Sequence, residues 1–363
     1  MLKQLVTLSL LTLGLCTPAW AQTYDRLDQA AIESSDAING LLLDIVNPPG
    51  SDRLVAVGEQ GVILFSDDRG SHWQQASVPV SVLLTAIDFV DSQQGWAVGH
   101  DGAILQTVDG GESWQAQMGG LSLTELQRDA LQALVDNPPE GILPEQLDNW
   151  LYALDDVTFA LEEGAMPALL DVRFINARLG FVLGGYGALF RTDDGGISWR
   201  SIGHLLPNPD RLHLNALLPT RSGRLLIAGE AGLLIYSDDR GRSWQRANSP
   251  YSGSFFALHE SDQIYLMGLR GHLYSSASGL EWQLEPLPTD ATLSAAASGS
   301  QQMVLLGQGG ALLINEGQGF QPVKGTRRGS FSAGLVRDGT LWLVGEGGVT
   351  ALDLAELKQE GRS

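Results

Sequence analysis

Most side chains in this 363-residue chain that could do chemistry are carboxylates. Asp68, Asp109, Asp194 and Asp239 each stand third in one frame, Ser/Thr-x-Asp-x-Gly-x-x-Trp, and each could serve as a general acid or a metal ligand. Glu230 and Glu346 could form the carboxylate pair of a glycoside-cleaving site, where their separation would set the stereochemical course. His100 lies next to Asp101, but no serine or cysteine is placed to complete a nucleophilic triad. The six histidines, His72, His100, His204, His213, His259 and His272, show no ligand spacing, and no Asp-x-Asp-x-Asp loop offers a calcium site. No metal and no cofactor are expected.

Repetition decides how the aspartates are to be read. The frames comprise Ser66, Asp68, Gly70 and Trp73; Thr107, Asp109, Gly111 and Trp114; Thr192, Asp194, Gly196 and Trp199; and Ser237, Asp239, Gly241 and Trp244. An active site needs different residues converging on one point, whereas these are the same residues in successive units. In such a frame the hydroxyl and carboxylate can accept backbone N–H groups of their own turn, glycine takes the left-handed position, and tryptophan packs beneath. The aspartates are therefore expected to hold shape.

Each frame follows a Gly-x-x-Gly pair and a short apolar run. First glycines at 58, 99, 184, 229, 268, 307 and 345 make seven units, spaced 41, 85, 45, 39, 39 and 38 residues apart. A period near 40 with strand-like content is that of a β-propeller blade, so the expected fold is all-β, a seven-bladed propeller over residues 22–363. The second unit shows four strands: Leu84 to Val90 (A), Gly95 to Gly99 (B), Ala103 to Val108 (C) and Trp114 onward (D). Further A strands are expected around Leu42, Leu170, Leu214, Phe255, Leu293 and Phe331. The glycine pairs should turn strand B into strand C through positive φ. The last unit runs out near Leu354, so residues Tyr24 to Leu27 are expected to supply its closing strand, and residues 355–363 to fray.

The doubled interval holds an insertion, residues 119–167. Leu123, Leu126, Ala130, Leu131 and Leu134 recur at helical spacing, with Ser122 and Glu125 as a capping box and Asn137-Pro138-Pro139 as a stop. Pro144 opens a second helix through Leu147, Trp150, Leu151 and Leu154. In a four-stranded meander the B–C turn and the link to the next blade share one end. The helical hairpin and the glycine turns therefore share a face, and the Asp frames lie opposite.

Lys3, the uncharged run from Leu5 to Cys16 and Ala19-Trp20-Ala21 read as a secretory signal, residues 1–21, cleaved after Ala21. A lipoprotein signal on Cys16 is the alternative, with Leu15 where a small residue is needed. Cys16 is the one cysteine, so the mature chain can use neither disulfides nor thiol chemistry. Acidic residues number 42 against 22 basic, a formal charge of −20, which argues against nucleic acid and anionic membrane surfaces as partners.

The four frames and Gly95-Trp96-Ala97-Val98-Gly99 together resemble the Asp-box, or BNR-repeat, propellers, and within them the photosystem II stability and assembly factor family. The resemblance spans nearly the whole mature chain and implies a non-catalytic periplasmic or secreted scaffold that binds an envelope or membrane-protein complex. Family members turn an arginine patch toward their partner. Here the arginines are scattered, and the hairpin carries Asp148, Asp155, Asp156, Glu162 and Glu163. The resemblance thus implies a non-photosynthetic bacterial relative serving another envelope complex, such as an exporter.

Asp-box turns also occur in sialidases, which makes a secreted glycan-binding protein or glycoside hydrolase the alternative. That chemistry needs three arginines on the glycine-turn face. Arg270 is the only turn arginine, Arg173 on the third A strand could add a second, and Arg191 and Arg240 should face away. The candidate binding face comprises Glu59, His100, Asp101, Tyr186, Glu230, Arg270, Gln308, Glu346 and, from the hairpin, Trp150, with Tyr186 and Trp150 as stacking surface.

Overall fold

Every blade begins with a bulged strand, and the glycine pair explains why. The computed structural model describes residues 25–299, 302–315, 317, 319–323 and 329–360; the expected signal segment, 1–21, and Tyr24 lie outside them. The A strands run Leu42–Val46, Leu84–Phe89, Leu169–Phe174, Leu214–Pro219, Phe255–Glu260, Leu293–Ser298 and Phe331–Arg337. In each, the first residue pairs with the first glycine of its turn, and the register then slips by one residue. At that glycine φ is near 180°, open to any residue, but a Cβ on Gly58 or Gly184 would lie 2.0 Å from the carbonyl oxygen of Leu41 or Ala168. Room, and not torsion, demands the first glycine.

Within the turn positive φ falls on the third and fourth residues in the first six blades and on Gly348 alone in the seventh. The third has φ 54° at Gln60, 56° at Asp101, 55° at Tyr186, 48° at Ala231 and 55° at Arg270; the fourth is glycine, with φ 72° at Gly61 and 68° at Gly102. Two consecutive left-handed residues are the signature of a twist-matched hairpin turn. The B strands that enter these turns, such as Gly95–Gly99 and Gly180–Gly184, are buried along their whole length, because neighbouring blades cover both of their faces.

Six sheets have four strands in the order A-B-C-D, and the seventh has three. Each A strand contacts the next around the ring, and the A strand of blade 7 contacts that of blade 1. Polar A-strand side chains bond across these seams. Asp44 accepts from Ile87 N–H at 3.0 Å, Asp88 from Phe174 N–H at 2.7 Å and Asp171 from Leu217 N–H at 2.8 Å. Thr85 donates to Leu169 O at 2.7 Å, Asn215 to Phe255 O at 2.7 Å and Ser294 to Phe331 O at 2.6 Å.

A second set of bonds closes the seams at the opposite end. Arg53 ion-pairs with Asp67 and Glu112 and donates to Gly110 O at 3.0 Å, in the Asp frame of the next blade. Arg191 pairs with Asp193 and donates to Arg240 O at 2.9 Å, while Arg224 pairs with Asp238 and donates to Ser278 O at 2.7 Å. Between these polar rims the seams are apolar: Trp96 of blade 2 stacks on Phe174 of blade 3 with ring centroids 3.5 Å apart.

Closure differs from expectation. Among the described residues blade 7 has no fourth strand: Arg26–Asp28 form a 3-10 turn beside blade 1, where Arg26 O accepts from Ser81 N–H at 2.9 Å. The N-terminal segment acts as a link instead. A Cβ on Gly348 would meet Ile38 O at 1.9 Å, just as one on Gly61 would meet Val80 O at 2.0 Å in the link that leaves blade 1. The seam itself is held by Arg337, which bonds Ser51 O at 2.8 Å and pairs with Asp52, and by Trp342, which packs edge-on against Trp73 at 6.3 Å. Leu354–Glu360 is a short helix where fraying was expected, and it buries Leu354 and Leu357 in blade 7; residues 361–363 of that expectation lie outside the described residues.

Trp342 thus packs the seam between blades 7 and 1, against Trp73 and over Gly70. Trp342→Ala is expected to lower unfolding stability by about 2–3 kcal/mol, less than for a fully buried tryptophan because the residue is only partly buried. Urea denaturation followed by tryptophan fluorescence reads this out.

Candidate functional site

The Asp frames bind their own backbone. Thr107 Oγ1 donates to Asp109 Oδ1 at 2.7 Å and accepts from Gly111 N–H at 2.9 Å. Asp109 Oδ1 also takes the N–H groups of Glu112 and Ser113, both at 3.0 Å, and the Trp114 indole donates to Gly111 O at 3.2 Å. The Thr192 and Ser237 frames repeat the hydroxyl and carboxylate bonds, but the Trp199 and Trp244 indoles find no acceptor among the described residues. The Ser198 hydroxyl, followed by its N–H, holds Asp194 down to about 2, and His72 N–H does the same for Asp68. A carboxylate kept ionised by donors on its own turn is a poor proton shuttle.

Sequence reasoning missed a polar cluster in the central channel, a cavity of about 410 Å³ walled by A strands. Asp44, Asp88 and Asp171 come from blades 1, 2 and 3 and face Arg173, whose guanidinium is 3.2 Å from Asp171. Burial pushes Asp44 and Asp88 up to about 6 despite the opposing pull of Arg173, and pushes Asp171 up as well. Across the lumen His259, lowered to about 4 by burial and by Arg221, shares a 2.9 Å contact with Ser298. Arg173 is committed to this cluster and not to the glycine-turn face where it could have added a second arginine. A charge recurring inside apolar A strands, in Leu-Leu-Asp-Ile, Ile-Asp-Phe and Leu-Asp-Val, was the available signal.

On the glycine-turn face the candidates divide in two. Glu59, Glu230 and Glu346 reach back to accept the N–H of Leu41 at 2.9 Å, His213 at 3.2 Å and Ser330 at 3.1 Å, fixing turn to A strand. Glu230 and Glu346 are thus separately committed to the backbone of two blades. Asp101 pairs with Arg26 at 3.0 Å. His100, Arg270 and Gln308 make no side-chain bond among the described residues. Tyr186 stands 76% exposed, its ring edge-on to His213 at 4.9 Å.

The insertion forms α1, Leu121–Asp136, and α2, Pro144–Glu162. No capping box forms: Gly120 is the N-cap, and its N–H donates to Asp101 O at 2.9 Å, so the turn of blade 2 starts the helix. Leu123 plugs the blade 2–3 seam beside Ile104 and Leu169, while Leu131, Trp150 and Leu154 form the hairpin's own core. Trp150 is accordingly largely buried there, 9% exposed, and Leu151 points outward, 40% exposed. The hairpin leans over blade 3, and Asp156 pairs with Arg211 in the link to blade 4. Between them opens a cleft of about 280 Å³, walled by Gln127, Leu131 and Trp150 on one side and Tyr186, His204 and Pro207 on the other. Its walls are apolar at Leu131, Leu206 and Pro207 and polar at Gln127, Asn149 and Asn208.

A family model described as photosynthesis system II assembly factor YCF48 matches residues 30–144 and 154–283, the break falling within α2. The photosystem II assembly lipoprotein Ycf48 of Synechococcus sp. (strain CC9902) is 37% identical over 87 residues, 24% of this chain, and the match spans a quarter (25%) of that relative's length. Among solved structures, YCF48 from Cyanidioschyzon merolae aligns with a TM-score of 0.61 at 13% identity, over 88% of this chain and 97% of its own. A structure titled YCF48 bound to D1 peptide gives 0.60 at 17%, over 86% and 93%. At these identities the structural likeness is one of fold.

The channel carboxylates carry a pH signature. The folded pKa of Asp44 and Asp88, about 6, lies above the ordinary 3.8, so the stability these two contribute is full below about pH 4 and is lost as pH rises through 6. Asp44→Asn with Asp88→Asn is expected to flatten the melting temperature between pH 4 and 7, removing on the order of 1–2 kcal/mol per site once lumen solvent is allowed for. Calorimetry across that range, comparing the variant with the parent, is the check.

Proposed function

This chain belongs to the photosynthesis system II assembly factor YCF48 family, and on that premise we propose that it is a non-catalytic periplasmic scaffold binding a segment of a membrane-protein complex of the envelope, an exporter being one such complex. The observation that carries this reading is the cleft where the hairpin meets the Tyr186 turn and the link after blade 3. An exposed tyrosine on a rigid left-handed turn and a wall of Leu131 and Pro207 offer apolar grip at little entropic cost. A relative whose structure is titled as bound to D1 peptide makes an extended segment the reasonable ligand class.

The scattered arginines fit a partner other than that relative's. Arg53, Arg191, Arg224 and Arg337 are held in blade seams, which leaves Arg270 as the free cation among the turn residues of the candidate face. Recognition is then apolar and hydrogen-bonded at the cleft, beside an acidic hairpin.

Affinity capture from intact envelopes tests this. The full-length protein is expected to recover a defined membrane-protein complex, and deletion of Leu121 to Gly164 to abolish recovery. Tyr186→Ala should weaken it roughly tenfold, as for an aromatic anchor. Unchanged capture by the deletion variant would sink the reading.

A further inference from the structure

The outer face of α2, turned away from the Trp150 core, repeats with a period of seven. Tyr152 and Phe159 form one row, 67% and 63% exposed and about 10 Å apart along the axis. Asp148, Asp155 and Glu162 form the adjoining row, and Glu145, Asp156 and Glu163 flank the aromatics on the other side. α2 contains no lysine or arginine, and the one basic residue of α1, Arg128, is paired with Asp129 at 2.6 Å. Among the described residues Asp148, Asp155, Glu162 and Glu163 have no ion-pair partner.

A solvated helix face is ordinarily polar throughout, and this one places two bare aromatic rings at its centre. Seven-residue spacing on both rows is what a second helix packed nearly parallel requires, since its own apolar row then stays in register over two turns. We infer that this face docks a cationic amphipathic helix of a partner protein, with apolar residues seven apart against Tyr152 and Phe159 and lysines or arginines against the Asp148, Asp155 and Glu162 row. Six carboxylates around the rings disfavour an anionic lipid surface. The inference rests on reading the chain as a protein-binding scaffold but uses a surface distinct from the cleft.

Two measurements on the full-length protein test it. The first places the photo-crosslinker p-benzoylphenylalanine at Phe159 or at Tyr186 in living cells and identifies the captured peptides by mass spectrometry. Adducts from position 159 are expected to map to a net-positive segment with apolar residues seven apart. Adducts at 186 alone, or neutral or acidic segments at 159, overturn this inference and leave the cleft reading standing; no adduct at either position removes both.

The second measures binding of a synthetic 21-residue lysine–leucine amphipathic helix. Tyr152→Ser with Phe159→Ser, which keeps every charge and changes only exposed positions, is expected to weaken binding at least about tenfold. Equal binding would mean charge alone and would overturn the proposal. Attachment of the parent protein to neutral phosphatidylcholine vesicles that this variant loses would overturn it in favour of a lipid surface.

Discussion

Hydrogen bonds from the innermost strands to the backbone of the next blade hold the ring, and most other features follow from them. A blade cannot bury both of its faces alone, so its stability lies in two seams. Asp44, Thr85, Asp88, Asp171, Asn215 and Ser294 each reach across a seam to a main-chain group of the following blade. The bulge that opens each A strand sets the phase of these polar residues, and it exists because the first glycine of each turn admits a carbonyl where a Cβ would collide. One backbone requirement thus links turn, bulge and seam.

The acidic balance of the chain is distributed by the same seams. Three carboxylates enter the channel, where burial raises their pKa and Arg173 offsets part of the cost. Others receive arginines at the outer end of the seams, so guanidinium groups that could have formed a cationic patch serve as clamps between blades. The hairpin segment, residues 119–167, carries ten acidic residues against one basic, −9 of the formal −20. Both proposed contacts lie on or beside that element.

Division of labour on the glycine-turn face is equally physical. The first variable residue of each turn lies within reach of the N–H at the start of its own A strand, so a glutamate there is drawn into the blade, as at Glu59, Glu230 and Glu346. The second variable residue is left-handed and points outward, as Tyr186 does.

The number of blades, the strands within them and the two helices were legible in the sequence, because each is set by local chemistry: glycine pairs for turns, hydroxyl and carboxylate for the Asp frames, 3.6-residue periodicity for the hairpin. The Asp frames needed no partner outside eight residues. Tertiary structure alone decided what depends on residues 16 or more positions apart. Among the described residues it left the last blade with three strands, with residues 37–39 serving as its link, and it gave the first helix a backbone start from Asp101 in place of a capping box. It buried Trp150, tied down three glutamates and gathered Asp44, Asp88 and Asp171 around Arg173. Local sequence fixes which way a short segment turns, while only closure of the ring determines which distant segments meet and what their side chains must then neutralise.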